Sequence, residues 1–196
     1  MTEAVFATAW DQSTFHVPQR AFPTALSARA LKNNGHVNAF GGAALPARGR
    51  HAWTVAFAGA AGGDLHGVAF AGVAGRKRGA DVQIAWETGA YGLRDGGDKH
   101  ALRVAGEGKG AVRQRHGDTN TFSRGDNVTF VADMDARPRS LTLYRNAEPE
   151  PLGTVAGFGA EVYVCAAYVP AWGKCDELVL SFGGGPVSSY LPPKSK

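Results

Sequence analysis

The feature that most constrains this chain is a pair of short apolar stretches on either side of a charged turn. Val128, Phe130 and Ala132 stand two residues apart, and so do Leu141 and Leu143. A two-residue period is typical of β-strands with one buried face. The turn between the stretches carries Asp, Arg and Pro, which favour a chain reversal in solvent. The sequence therefore predicts a β-hairpin, with Phe130, Leu141 and Leu143 buried between two sheets.

Other stretches repeat this spacing and predict further strands. The predicted strands lie around Trp53, Val55 and Phe57, and over residues 82–86, 162–169 and 178–182. Gly41-Gly42 with Leu45-Pro46 predicts a turn. Pro149 with Pro151 predicts a break in strand pairing, because proline lacks the donor that a ladder needs. Residues 92–120 are rich in glycine and charge, which predicts long loops with one or two short strands.

The composition favours one intracellular all-β domain. The chain has 196 residues, 27 of them glycine, and is long enough to bury a core without metals or disulfides. We expect residues 1–186 to form the domain and residues 187–196 to form a tail. No secretory signal pattern or membrane-length apolar run occurs. Cys165 lies in an apolar strand pattern and is expected to be a buried free thiol, with a disulfide to Cys175 as the weaker alternative. These features predict a cytoplasmic protein.

The charge pattern does not indicate a nucleic-acid partner or a membrane surface. Lys and Arg number 21 against 17 Asp and Glu, a formal net charge of +4 that is spread along the chain. The single dense cluster, Arg76 to Arg78, lies between two glycines and is interpreted as a solvated loop. Neither an aromatic RNA-binding motif nor a zinc-finger spacing accompanies it.

No catalytic or metal-binding constellation is present in the sequence. Asp133 and Asp135 stand beside arginines in the predicted turn and are interpreted as turn charges rather than as a glycosidase pair. Residues 106–110 lack the Walker spacing of a phosphate loop. The six histidines have no metal-ligand spacing, and no Gly-x-Ser-x-Gly elbow occurs. We therefore expect no enzyme activity, no cofactor and no metal.

Several short motifs occur in the order found in one family. The hairpin contains Gly125-Asp126-x-Val128, then Asp133-Met134-Asp135, then a run that ends at Asn146; in this it resembles the central hairpin of the SPRY domain. The other matches, which extend the resemblance over residues 9–185, are Arg48-Gly49-x-His51-x-Trp53, Gly67-Val68-Ala69, Tyr91-Gly92 and Trp172-Gly173-x-Cys175. Ala147 stands where the family usually has glycine, so we expect the turn after the hairpin to differ in backbone geometry.

The resemblance implies a two-sheet antiparallel β-sandwich, a concanavalin-like jelly roll in the SPRY arrangement. The sequence lacks the Cys…Trp…Cys spacing that would indicate the rival fold, an immunoglobulin-type sandwich. The final Trp-Gly loop is most similar to SPRY domains that carry a SOCS box. Residues 187–196 are too few for that box, so the ubiquitin-ligase adaptor role is not expected here.

The resemblance also implies a binding surface formed by loops at one end of the sandwich. It would be non-catalytic, would take a short peptide or exposed loop of a partner protein, and would serve a monomer. The candidate ligand-binding residues are Tyr91, Arg94, Asp95, Tyr168, Trp172 and Gly173. Trp172 could instead be a core or lid residue. Two other functions stay open: a lectin-like carbohydrate binder, with Asp118, Asn120 and Asp126-Asn127 as its calcium candidates, and a structural packing protein without a small ligand.

Overall fold

A computed structural model describes most of the predicted strands. It covers residues 3–5, 11, 27–31, 37–58, 69–75, 90–95, 102–105, 127–146, 148–168 and 177–182. Within these ranges the chain forms twelve strands and no helix. The first six are β1 (Glu3–Val5), β2 (Ser27–Leu31), β3 (Val37–Ala44), β4 (Arg50–Ala58), β5 (Ala69–Ala74) and β6 (Ala90–Asp95). The others are β7 (Leu102–Ala105), β8 (Asn127–Asp133), β9 (Ser140–Arg145), β10 (Gly153–Ala156), β11 (Tyr163–Tyr168) and β12 (Glu177–Phe182).

The strands form two sheets that face each other. In the described part of the chain the first sheet runs β10-β9-β8-β4-β12-β2, with β1 beside β4, and the second runs β3-β11-β5-β6-β7. Pairing is antiparallel apart from β1, which runs parallel to β4. The sheets contact one another where β6 packs against β9 and β10 and where β7 packs against β10. The predicted all-β, two-sheet sandwich is confirmed.

The central hairpin forms as predicted and supplies the core of the first sheet. Phe130 on β8 is the register partner of Leu143 on β9, and Ala132 is that of Leu141. Phe130, Leu141 and Leu143 are fully buried. The ring of Phe130 stacks on that of its other register partner, Trp53, with centroids 5.3 Å apart and an interplanar angle of 13°. Aromatic stacking of this kind adds to the stabilisation from buried area.

The prediction that β8 has one buried face is wrong, because both of its faces are buried. Thr129 is 2% exposed and Val131 is 3% exposed, although they alternate with the core residues. The Thr129 hydroxyl lies 2.8 Å from the hydroxyl of Thr54 on β4, so neither polar group is buried without a partner. Val131 clusters with Ala52 and Tyr144. Two threonines whose hydroxyls form a hydrogen bond with each other can both be buried. The alternation of polar and apolar residues in the sequence did not predict this burial.

One glycine-rich stretch forms a strand where the sequence predicted a turn. Gly41 and Gly42 lie inside β3, and the connection to β4 begins after it, at Leu45. In β3 the neighbouring strand β11 supplies main-chain hydrogen bonds that override the low strand propensity of glycine. Residues 92–120 were predicted as loops with one or two short strands, and their described part contains the end of β6 and all of β7. The strand predicted over residues 82–86 lies outside the described residues.

The turn after the hairpin places its unusual backbone geometry at Asn146. This residue has φ 46°, in the left-handed region that asparagine tolerates better than most residues. Its side-chain oxygen accepts a hydrogen bond from the Asn127 amide at 2.9 Å, and the Glu148 amide donates to the Arg145 carbonyl at 2.8 Å. The asparagine therefore supplies both the positive φ and a cap. Ala147 lies outside the described residues.

At one end of the sandwich, here called the Gly49 end, the connections between strands are joined to one another by main-chain hydrogen bonds. It comprises residues 45–49, 134–139 and 157–162. The Met134 amide donates to the Gly49 carbonyl at 3.0 Å, and the Leu45 amide donates to Val162 at 2.8 Å. Asp133 accepts hydrogen bonds from the amides of Asp135 and Ala136, an Asx turn that confirms its predicted role as a turn charge.

Candidate functional site

The opposite end of the sandwich, here called the Asp95 end, brings together the ends of two strands that carry candidate binding residues. β5 pairs with β11 on one side and with β6 on the other. Tyr168, the last residue of β11, is the register partner of Ala69 at the start of β5. Arg94 is the partner of the next residue, Phe70, and Asp95 follows it. Arg94, Asp95 and Tyr168 therefore lie at the same end of the second sheet, two strand spacings or about 10 Å apart.

The connection that contains Trp172 and Gly173 begins and ends at the Asp95 end. It starts after Tyr168 in the second sheet and finishes at Glu177, where β12 begins in the first sheet. Because Val179 pairs with Ala58, the last residue of β4, the start of β12 lies at this end. Trp172 and Gly173 themselves lie outside the described residues, so their contacts stay predictions.

Tyr91 lies apart from the other candidates. It is 5% exposed and is the register partner of Val73, four residues before Asp95 at the end of β6. Its ring packs at 57° against Phe158, with centroids 5.8 Å apart, and its hydroxyl donates to the Gly157 carbonyl at 3.5 Å. These contacts bring Tyr91 towards the Gly49 end and leave little of its surface to a ligand. The sequence signal was ambiguous because a core tyrosine and a pocket tyrosine look alike without a strand register.

One exposed segment at the Asp95 end was not among the predicted site residues. The turn from β9 to β10 exposes Asn146 and the run Glu148 to Pro151. The Leu152 amide donates to the Leu143 carbonyl at 2.8 Å, which ties the far side of this turn to β9. The sequence marked the prolines as a break in pairing, and the same break projects two carboxylates and two prolines into solvent.

The described side chains have no arrangement suited to covalent catalysis. Cys165 is a free, fully buried cysteine as predicted, and burial raises the pKa of its thiol far above the usual range. A thiol held protonated is a poor nucleophile. Asp133 is used to cap a turn, and the His51 Nε2 donates to the Arg48 carbonyl at 2.7 Å. These groups therefore serve structure.

The described ranges likewise contain no set of three His, Cys, Asp or Glu side chains arranged as metal ligands. Over the same ranges there is no helix with the length and apolar character needed to cross a bilayer.

One exposed pair of side chains shifts a pKa. The hydrogen bond from Tyr163 to Glu161, 2.9 Å between the phenol and carboxylate oxygens, and the negative charge of Glu161 raise the pKa of Tyr163. This pair lies at the Gly49 end, away from the candidate residues of the Asp95 end.

Comparison with known proteins identifies the fold. No family model matches the chain, and no curated protein matches its sequence. Among solved structures, the SPRY domain of human HERC1 has a TM-score of 0.57 at 15% identity, covering 88% of this chain and 96% of that chain. The TRIM65 PSpry domain has a TM-score of 0.61 at 12% identity, covering 93% and 94% respectively. The chain has the SPRY-domain fold.

The fold is also similar to part of a larger protein, but the matches do not indicate a particular SPRY subfamily. Stonustoxin matches with a TM-score of 0.58 at 14% identity, over 90% of this chain and 28% of the toxin chain. The expected SPRY arrangement is thus confirmed, while the closer resemblance to SOCS-box SPRY domains is not supported by these matches. At such low identity the SPRY fold tells us about architecture, and function has to be argued from the surface.

Proposed function

We propose that this chain is a non-catalytic protein-interaction module that binds a short peptide or exposed loop of a partner protein at the Asp95 end. The proposal extends what is expected of a SPRY-type sandwich. The observation that carries it is the convergence of strand ends: Arg94 and Asp95 on β6, Tyr168 on β11, and both anchors of the connection containing Trp172 and Gly173 share one end.

The two ends of the sandwich differ in a way that favours this choice. At the Gly49 end the connections are tied together by main-chain hydrogen bonds and by the Asp133 cap, so several of their backbone groups already have partners. The Asp95 end holds connections of eight and six residues, counted from Tyr168 to Glu177 and from Asp95 to Leu102. Binding residues are commonly carried on such connections above a rigid scaffold.

The residue types at the Asp95 end suit recognition of a peptide. Tryptophan, tyrosine and arginine supply most of the binding energy in protein interfaces. Trp172 and Tyr168 would provide apolar area. Arg94 would provide a positive charge and Asp95 a negative one, so charged groups of either sign on a partner could be paired. Gly173 would allow close approach of a ligand backbone. No described group supplies a nucleophile or a metal, so binding without chemistry is the simplest function for this surface.

The test is capture of partners by the natural chain and by Trp172→Ala, with bound proteins identified by mass spectrometry. Loss of a hot-spot side chain weakens binding by about 30-fold or more, so specific partners should disappear from the variant. The melting temperature is measured alongside, and it should stay close to that of the natural chain. If Trp172→Ala retains every partner, or if it unfolds, the tryptophan is not a binding residue.

A further inference from the structure

One edge of β4 is completed by two different strands. β12 pairs with β4 only over Val55 to Ala58. The first part of the same edge, residues Arg50 to Ala52, pairs with β1 instead. We call this three-residue edge the β4 slot. The other edge of β4 is occupied by β8 along residues 50–56, so the slot is the place where an additional strand enters the middle of the sheet.

The strand that fills the β4 slot is short and differs from the others in orientation. β1 contributes three residues, Glu3 to Val5, and runs parallel to β4, whereas the other pairings described are antiparallel. A three-residue ladder contains few main-chain hydrogen bonds. Such peripheral elements open at a much lower free energy than the core strands do. The β4 slot therefore has an occupant that can be exchanged while the sandwich stays folded.

The register of β1 carries a charge signal. Glu3 is the register partner of Arg50, and on the far side of β4 Arg50 is the register partner of Asp133. An arginine position is thus flanked by acidic positions in both neighbouring strands. Opposite charges at partner positions favour pairing, and like charges oppose it. This pattern specifies both the register and the chemistry of the strand that the β4 slot accepts.

The chain next to β1 is long enough to let it move. The Asp11 amide donates to the Phe40 carbonyl at 2.7 Å, which attaches residue 11 to β3 in the second sheet. From Val5 to Asp11 an extended chain spans at most about 20 Å, whereas facing sheets lie about 10 Å apart. β1 can therefore leave the β4 slot without detaching residue 11 from β3.

We propose that the β4 slot is a strand-accepting site, and that the segment it takes in trans is the β1 segment of a second copy of this chain. Binding uses main-chain hydrogen bonds in parallel register, and the acidic residue opposite Arg50 selects the segment. The site is at the Gly49 end and does not depend on the function proposed for the Asp95 end.

A labelled peptide tests this directly. A fluorescent peptide with the sequence of residues 1–11 is titrated, by anisotropy, into the intact chain and into a variant that lacks residues 1–5. The variant should bind at least about tenfold more tightly, because in the intact chain the tethered β1 competes at a millimolar effective concentration. No binding to a variant whose circular dichroism matches the intact chain would overturn the proposal.

Charge reversal provides the matched control. The peptide carrying Glu3→Lys should bind the shortened variant about threefold more weakly or worse, and it should regain affinity when Arg50→Glu is introduced into that variant. Equal binding of both peptides to both proteins would show that the register charge does not select the segment. If the shortened variant does not fold, intact Glu3→Lys takes its place as receiver: it should bind the natural peptide more tightly than the natural chain does, and equal binding would overturn the proposal.

Discussion

At the scale of single residues, the tightest steric constraint is the meeting of β5 and β6 at Gly72 and Gly92. These glycines are register partners. A Cβ atom on Gly92 would stand 2.2 Å from the Ala71 carbonyl oxygen and 2.7 Å from the Gly72 Cα. Both obstacles are backbone atoms, which cannot rotate away as a side chain would. The glycine of the Tyr91-Gly92 pair is therefore required by strand packing.

Gly92→Ala should destabilise the fold by about 1–3 kcal/mol or more, since overpacking of this kind forces the two strands apart. Urea unfolding of the variant measures the loss. Gly159→Ala is the control: Gly159 is exposed and a Cβ there would meet nothing within 4 Å, so its stability should be nearly unchanged. Equal stability of the two variants would contradict the close approach of β5 and β6.

Cys165 should make stability depend on pH in the alkaline range. Burial raises the pKa of this thiol in the folded chain, while the unfolded thiol titrates near pH 8.5. Above about pH 8.5 the unfolded state loses a proton that the folded state keeps. The free energy of unfolding therefore falls as pH rises from there towards the raised folded pKa, by up to about 1.4 kcal/mol per pH unit.

Measured against Cys165→Ala, the natural chain should lose its relative stability between about pH 8.5 and pH 10.5, while the difference stays constant at lower pH. Tyrosines and lysines titrate in both proteins and cancel in the comparison. A pH-independent difference would mean that the thiol is accessible to water or ionises in the folded state.

At the scale of elements, the pairing of β4 with β8 rests on polar as well as apolar contacts. The hydroxyls of Thr54 and Thr129 lie 2.8 Å apart, and both residues are buried. Removing one hydroxyl leaves the other without this partner, which costs about 1–3 kcal/mol, whereas removing both can be nearly neutral. The pair thus sets the register of these strands from the face opposite to Trp53 and Phe130.

Thr129→Val alone should lower the free energy of unfolding by about 1–3 kcal/mol, and adding Thr54→Val should recover part of that loss. Denaturant unfolding of the two single variants and the double variant gives the coupling. Additive losses would show that the two hydroxyls do not act as a pair.

The elements that the sequence predicted well are those in which large apolar side chains alternate with a period of two residues. The central hairpin was found because Phe130, Leu141 and Leu143 are large, apolar and spaced by two. β3 was missed because its glycines leave no side chain to alternate, and its strand conformation comes from a neighbour distant in sequence. The burial of Thr129 was missed for a related reason: its partner lies 75 residues away.

At the scale of the whole molecule, the sequence predicted the fold better than the site. The order of short motifs pointed to the SPRY arrangement, and it grouped the connections after β6 and β11. It could not separate Tyr91 from Arg94 and Asp95, because a distance of three or four residues along a strand is enough to move from one part of the sandwich to another. Strand register, which depends on the partner strands, supplied that distinction.

The absence of a metal requirement is a whole-molecule prediction. Because neither the spacing of the sequence nor the described side chains provide a ligand set, the melting temperature should be the same with and without EDTA. A large drop on chelation would instead favour the calcium-dependent lectin alternative, with Asp118 and Asn120 as the first residues to substitute.

The central claim is that a protein partner binds at the Asp95 end and does not contact the Gly49 end. Hydrogen–deuterium exchange of the chain, alone and with a partner recovered in the capture experiment, tests it most directly. We predict slower exchange at Arg94, Asp95 and Tyr168 in the complex, with no change over residues 134–139. Protection of residues 134–139, with unchanged exchange at the ends of β6 and β11, would contradict the account.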